Sequence, residues 1–167
     1  MAAGATYEPI ATTTLGSAAS SITFSSIPAT YSDLRLNIIP LVSTTGQDLY
    51  VQFNSDTGTN YSVTTLYGNG TSALSFAYTS NTYLRLTRGA SVSSTIPTFY
   101  TLDIFSYAGS TYKTSLGTRA DDQNGSGSTA ALVGLWRSTS AINTITISSG
   151  VNLASGSIAT LYGIKSA

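Results

Sequence analysis

Hydrophobic positions recur at every second residue of this chain, in short runs separated by turn-forming residues. In the run 33–39, Leu34, Leu36 and Ile38 alternate with polar residues, which is the period of a β-strand with one buried face. About ten to twelve such runs follow one another, and none shows the spacing of an amphipathic helix. The pattern predicts an all-β fold, an antiparallel two-sheet sandwich of jelly-roll type.

The pattern is most regular over residues 49–70. Two alternating runs, 49–53 and 61–67, flank the turn-forming sequence Asn-Ser-Asp-Thr-Gly-Thr-Asn. Alternating runs around such a loop predict a β-hairpin with a long connection. Residues 1–15 are predicted to form an N-terminal arm or an edge strand, because Pro9 cannot donate to a sheet ladder. Residues 16–167 are predicted to form a single sandwich domain.

Residues 97–107, PTFYTLDIFSY, are apolar on both faces. A strand of this kind belongs in the middle of a sheet, packed on both sides or against a neighbouring subunit. Tyrosine suits a subunit interface because it offers a large ring and a hydroxyl. The single tryptophan is expected to anchor either the core or an interface. The candidate interface residues are Phe99, Tyr100, Phe105, Tyr107, Trp136 and Arg137.

Composition narrows the possible partners. The chain has 167 residues, a formal net charge of +0, and only 8% charged residues, against about 25% in an average domain. Such a surface creates no electrostatic field that would attract nucleic acid or an anionic membrane.

The sequence shows no targeting or membrane-spanning segment. The N-terminus lacks the basic and apolar regions of a secretory signal peptide, and no window is apolar for long enough to form a transmembrane helix.

Candidate chemistry is sparse. With no histidine and no cysteine, imidazole catalysis, thiol nucleophiles and His- or Cys-bound metals are excluded. No cofactor, metal or catalytic residue is predicted.

Asp103 is expected to form a salt bridge with Arg119 on a neighbouring strand. The loops 54–58 and 122–127 resemble half of a calcium-binding loop, but neither has the downstream glutamate that completes one. Tyrosines can also form a platform for sugars, which leaves glycan binding as an alternative.

Four stretches carry a family resemblance: 7–36 (YEPIATTTLGSAASSITFSSIPATYSDLRL), 53–70 (FNSDTGTNYSVTTLYGNG), 134–147 (GLWRSTSAINTITI) and 159–165 (ATLYGIK). Together they resemble a small β domain of virion structural proteins in tailed bacteriophages, cyanophages included. The resemblance implies a non-enzymatic head or tail component, assembled in the host cytoplasm into the virion.

Two roles are open under this resemblance. A capsid decoration, or cement, protein binds the major capsid protein over capsomer junctions, commonly as a homotrimer, and stabilises the shell. A tail-associated module instead binds glycans on the host surface. A β domain that starts by about Tyr7 and ends at Ala167, with no shaft before it, fits the decoration role better.

Overall fold

The computed structural model describes residues 6–87, 92–122 and 124–165, and this part of the chain contains β-strands and no helix. The strands form an eight-stranded and a four-stranded antiparallel sheet, which pack face to face. The strands are β1 (Tyr7–Thr14), β2 (Ala19–Phe24), β3 (Asp33–Ile39), β4 (Leu49–Phe53), β5 (Tyr61–Gly68), β6 (Ala73–Asn81), β7 (Leu84–Arg85), β8 (Phe99–Ile104), β9 (Lys113–Asp121), β10 (Ser128–Trp136), β11 (Ile145–Leu153) and β12 (Ile158–Ile164). The predicted all-β sandwich is confirmed.

Strand pairing gives the sandwich its jelly-roll character. Strands near the N-terminus pair with strands near the C-terminus, and the pairs move towards the middle of the sequence: β1 with β12, β2 with β11, β3 with β8, and β4 with β7. Successive pairs alternate between the two sheets. This nesting of antiparallel pairs is the winding of a jelly roll.

Two further hairpins enlarge one of the sheets. β5 pairs with β6, β9 pairs with β10, and the two hairpins join through β5 and β10. They continue the larger sheet beyond β8 in the order β9-β10-β5-β6. We call these four strands the extension. The smaller sheet reaches the extension through β7, which packs against β5 and β10, so β6 lies at the margin of the sandwich.

The core lies between the two sheets and follows the predicted alternation. Leu34, Leu36 and Ile38 of β3 are at most 1% exposed, and Leu49 and Val51 of β4 face them from the other sheet at 0%. Burying one such side chain stabilises the fold by about 1.5–3 kcal/mol. The regular alternation on β3 and β4 therefore fixes which face of each sheet turns inwards.

The hairpin predicted over residues 49–70 is wrong. β4 belongs to the smaller sheet and β5 to the larger one, so the intervening loop carries the chain across the sandwich. Asn54 and Ser55 adopt positive φ angles of 52° and 54° in this loop. Across the core, the Tyr61 hydroxyl accepts a hydrogen bond from the Phe53 amide at 2.9 Å. Both strands bury one face, so alternation alone predicts them equally well in one sheet or in two.

Two other predictions concern single strands. The first segment is an edge strand: β1 pairs only with β12, and its register shifts between Pro9 and Ala11. The two-faced run forms β8, which is the fourth of eight strands, as its apolar faces predict. Tyr100, Leu102 and Ile104 point into the core at no more than 1% exposure.

Candidate interaction surface

The six candidate interface residues separate into a buried and an exposed group. Tyr100, Tyr107 and Trp136 are at most 2% exposed, so they belong to the core of the chain itself. Phe99 and Phe105 are 43% and 42% exposed and remain available to a partner. Arg137 is half-buried, and its Nη2 donates to the Thr59 carbonyl. Phe99 is thus the member of this set on the outer face of the larger sheet.

Trp136 holds the loop that crosses the sandwich. Its Nε1 donates to Oδ2 of Asp56 at 2.7 Å, and its ring packs against those of Phe53 and Tyr61 at centroid distances of 5.5 and 6.3 Å. Burial alone raises the pKa of Asp56, but hydrogen bonds from Trp136, Asn60 and the Gly58 amide outweigh it and lower the pKa below its ordinary value. Asp56 is an ionised hydrogen-bond acceptor with a structural task.

The loops that resemble half of a calcium site use their side chains to shape turns. Asn54 accepts hydrogen bonds from the amides of Asn143 and Thr144, and Asp122 accepts one from the Gly125 amide. The Asp122 contact is an ordinary Asx-type turn, whereas the Asn54 contacts are long-range and fasten its loop to the segment before β11. Within residues 6–87, 92–122 and 124–165, no three acidic side chains come together in a way that could hold a metal ion.

The expected salt bridge between Asp103 and Arg119 is wrong, because the two residues lie on opposite faces of the sheet. Asp103 points outwards and accepts two hydrogen bonds from Arg35, at 2.6 and 2.7 Å. Arg119 points inwards, where it pairs with Asp121 and donates to the Tyr100 hydroxyl at 3.0 Å. The partner of Asp103 is directly opposite it on β3, a pairing that the cross-strand register determines.

The outer face of the extension carries no charge. Along β9 and β10 the buried and exposed residues alternate strictly, and the exposed set is made of Thr, Ala, Leu and Val. The register places these side chains in rows with those of β5 and β6. We call this surface the neutral face. Its members are Ser62, Thr64, Leu66, Gly68, Ala73, Ser75, Ala77, Thr79, Thr114, Leu116, Thr118, Ala120, Thr129, Ala131, Val133 and Leu135.

Three aliphatic side chains dominate the neutral face. Leu66, Leu116 and Val133 are 61%, 48% and 47% exposed, and Val133 lies directly opposite Leu116 in the register. Small residues between them leave two shallow depressions of about 270 and 350 Å³. Exposed aliphatic side chains grouped on an uncharged surface are typical of a contact with another macromolecule.

The other half of the same outer face is aromatic and charged. The rings of Tyr7 and Tyr162 meet edge to face at 6.5 Å, and the Arg35 guanidinium lies 5.5 Å from the centre of the Tyr7 ring. Arg35 is also the partner of Asp103, and the hydrogen bonds that it donates to the Asp103 carboxylate raise the pKa of Arg35. The outer face therefore combines a neutral half on the extension with a polar, aromatic half near β1.

The sequence pattern did not reveal the neutral face. On β9, Lys113, Ser115 and Arg119 alternate with Thr114 and Leu116, and nothing in that pattern marks the lysine and arginine as the inward set. The one relevant feature of the sequence is the high content of Ser, Thr and Ala in the predicted strands. This content indicates that an exposed sheet face lacks charge, but it does not show which strands form that face.

Comparisons with known proteins give no match. No protein-family model, no curated protein and no solved structure matches the chain. The structure described for residues 6–87, 92–122 and 124–165 contains no helix with the length and apolar character needed to cross a membrane. Any proposal about function therefore depends on the surfaces described above and on the resemblance in the sequence.

Proposed function

We propose that the chain is a non-enzymatic structural subunit of a tailed-phage virion, a capsid decoration protein that lies with its neutral face on the shell. The observation that carries this proposal is the absence of charge across the sixteen neutral-face positions. A surface without charge has no long-range steering and depends on close packing. Such a surface suits a protein that stays permanently bound in an assembly. The sequence resemblance indicates that this assembly is a phage virion.

The size of the neutral face supports a stable contact. Four strands about 4.8 Å apart, with eight or nine residues at about 3.3 Å each, cover roughly 550 Å². A stable interface buries about 800 Å² per partner, so the neutral face supplies most of one. Phe99, on the adjoining strand β8, extends it.

The carboxylates support a structural role as well. Each of the seven acidic residues accepts a hydrogen bond within the chain, and several are held by an arginine, a lysine or the Trp136 indole. They are Glu8, Asp33, Asp48, Asp56, Asp103, Asp121 and Asp122. Hydrolysis of a glycoside requires two carboxylates placed across a cleft, and these seven are instead engaged in turns and ion pairs.

Imaging tests the proposal. Cryo-electron microscopy of virions in which mass spectrometry finds this chain is expected to show its density on the shell. The resemblance further implies three copies around each local three-fold axis. Density confined to the tail would refute the decoration role, and absence of the chain from every virion would refute the phage assignment itself.

A binding experiment tests the neutral face directly. Virions stripped of the chain are mixed with the purified protein and heated, and the release of DNA is followed with a fluorescent dye. The wild-type protein is expected to raise the release temperature. The double variant Leu66→Lys, Leu116→Lys is expected to fold normally and have no effect. Thr23→Lys, on the exposed side of the smaller sheet, is the matched control and should act like the wild type.

The polar half of the outer face favours a second function, glycan binding. Tyr7 is 48% exposed, its ring contacts that of Tyr162, and the Arg35 guanidinium lies beside it, so a sugar could meet rings and hydrogen-bonding groups together. Binding to an array of bacterial surface glycans, lost in Tyr7→Ala, would support a tail-associated receptor-binding module. No binding on the array would leave the decoration role as the better proposal.

A further inference from the structure

The sheet edges of this sandwich are protected unequally. A free edge exposes unpaired backbone groups, and proteins usually shield it with charge, proline, irregularity or shortness. β1 contains Glu8 and Pro9 and has a register shift, β7 has two residues, and β2 has six. β6, at the far end of the extension, has nine residues without charge or proline, and its own register shift lies near its C-terminal end, between Tyr78 and Asn81. Of the edges in the described residues, β6 is the longest and least protected.

β6 is also exposed on both faces. On its inner face, Leu74 is 45% exposed and Phe76 and Tyr78 are only partly buried. Tyr78 lies at the margin of the smaller sheet, where the Arg85 guanidinium of β7 is 4.9 Å from the centre of its ring. On its outer face, Ala77 belongs to the neutral face and is exposed. A long, uncharged edge whose register is regular from Ala73 to Tyr78 is a template for pairing with another strand.

The sequence of β6 is symmetric in character about Ala77. Phe76 and Tyr78 flank it on the inner face, and Ser75 and Thr79 flank these on the outer face. If two copies of β6 run antiparallel with Ala77 opposite Ala77, each Phe76 lies opposite a Tyr78 and each Ser75 opposite a Thr79. Aromatic pairs and hydroxyl pairs are favourable cross-strand neighbours, and no like charges meet.

We propose that β6 pairs with β6 of a second copy of this chain, antiparallel and centred on Ala77. Such a contact is isologous, so it closes after two copies and does not propagate into a fibre. It joins the two larger sheets into one and makes the two neutral faces continuous. The contact is independent of the three-fold symmetry implied by the resemblance, because an icosahedral shell contains two-fold as well as three-fold axes.

Cysteine cross-linking tests this register, because the natural chain has no cysteine. Opposite residues in an antiparallel pair have Cα atoms about 4.5–5.5 Å apart, within the range of about 4.4–6.8 Å that a disulfide spans. Oxidised Ala77→Cys is expected to form a covalent dimer nearly completely. Thr12→Cys, exposed on the other edge strand β1, is the matched control and should stay largely monomeric. Equal cross-linking of the two variants would overturn the proposal.

A mixture of variants checks the register. Ser75→Cys and Thr79→Cys are expected to cross-link with each other when mixed, and neither should cross-link efficiently with itself. Efficient self-linking at Ser75 with none at Ala77 would contradict the proposed centre.

Charge reversal tests the contact without covalent chemistry. By sedimentation, the wild-type protein is expected to be a dimer, and Ala77→Lys and Ala77→Glu are each expected to be monomers with normal circular dichroism. Mixing these two variants should restore dimers. A wild-type monomer or trimer at all concentrations would overturn the pairing. All of these measurements use purified protein, so their failure is separate from failure to find the chain on a virion.

Discussion

Arg119 and Asp121 form an ion pair inside the sandwich. Nη2 of Arg119 lies 2.9 Å from Oδ2 of Asp121, and both side chains are 1% exposed. The other carboxylate oxygen, Oδ1, accepts from both the amide and the hydroxyl of Ser128 at 2.8 Å. Arg119 and Asp121 both lie on β9, and Ser128 is the first residue of β10. The hydrogen bonds to Ser128 therefore join the end of β9 to the start of β10.

Removing one member of this pair is expected to be costly. Asp121→Ala leaves the Arg119 guanidinium buried without its counter-charge, and such losses cost about 3–5 kcal/mol. Asp103→Ala breaks the Arg35 pair, whose side chains are 36% and 18% exposed, and should cost about 1 kcal/mol or less. Urea unfolding monitored by circular dichroism measures both. If Asp103→Ala lowered the free energy of unfolding as much as Asp121→Ala, this ranking would be contradicted.

The Arg119–Asp121 and Arg35–Asp103 ion pairs show which structural features the sequence could predict and which it could not. Leu34, Leu36 and Ile38 alternate with polar residues, so the inward face of β3 was predictable. On β9, Lys113 and Arg119 face inwards while Leu116 faces solvent, which inverts the usual preference. Arg119 is accommodated there by hydrogen-bond acceptors on Tyr100, Asp121 and Ser128, and the contacts with Tyr100 and Ser128 form only after the strands have paired.

The neutral face was unpredictable for a related reason. It exists because β5 and β10 join two hairpins that are far apart in the sequence. Period-two patterns identify strands and their faces, but they do not say which strands are neighbours. The predicted hairpin over residues 49–70 failed for this reason, since β5 pairs with β6 and β10 instead of β4.

Gly134 is expected to be required by the packing of β10 against β7. A Cβ atom at this position would clash with Cδ1 of Leu84 and lie 3.0 Å from Oγ of Ser115. Gly134→Ala should therefore lower the free energy of unfolding by about 1–3 kcal/mol, the usual cost of overpacking. Gly16→Ala is the matched control, because nothing lies within 4 Å of its Cβ position. A stable Gly134→Ala variant would show that Leu84 can move aside.

The Asp56 carboxylate is expected to make stability depend on pH in acid. Its pKa in the folded state is below the ordinary value of 3.8, so near that pH the unfolded chain binds more protons. The free energy of unfolding therefore rises with pH in this window, and the stabilisation is lost as the pH falls through the folded pKa. Asp56→Asn should reduce this slope in urea unfolding between neutral pH and acid. An unchanged slope would mean that the Trp136 and Asn60 contacts do not favour the ionised form.

The Tyr61 hydroxyl is expected to stabilise the crossing between the two sheets. It accepts from the Phe53 amide at 2.9 Å and donates to the Phe53 carbonyl at 3.3 Å, so Tyr61→Phe leaves a buried amide without a partner. That should cost about 1–3 kcal/mol at neutral pH. Tyr112→Phe, at a residue that is 55% exposed, is the control and should leave stability unchanged.

Alkaline pH separates the role of this hydroxyl from simple packing. Burial raises the pKa of Tyr61 to about 12 from an ordinary value of 10.0. Between these values the unfolded chain has lost the proton and the folded chain keeps it, so stability falls as the pH rises. Tyr61→Phe should therefore lose less stability than the wild type over this range. Part of the slope should remain, because burial also raises the pKa of Tyr100 to about 12. Parallel pH profiles for Tyr61→Phe and the wild type would show that the Tyr61 hydroxyl is not desolvated in the folded protein.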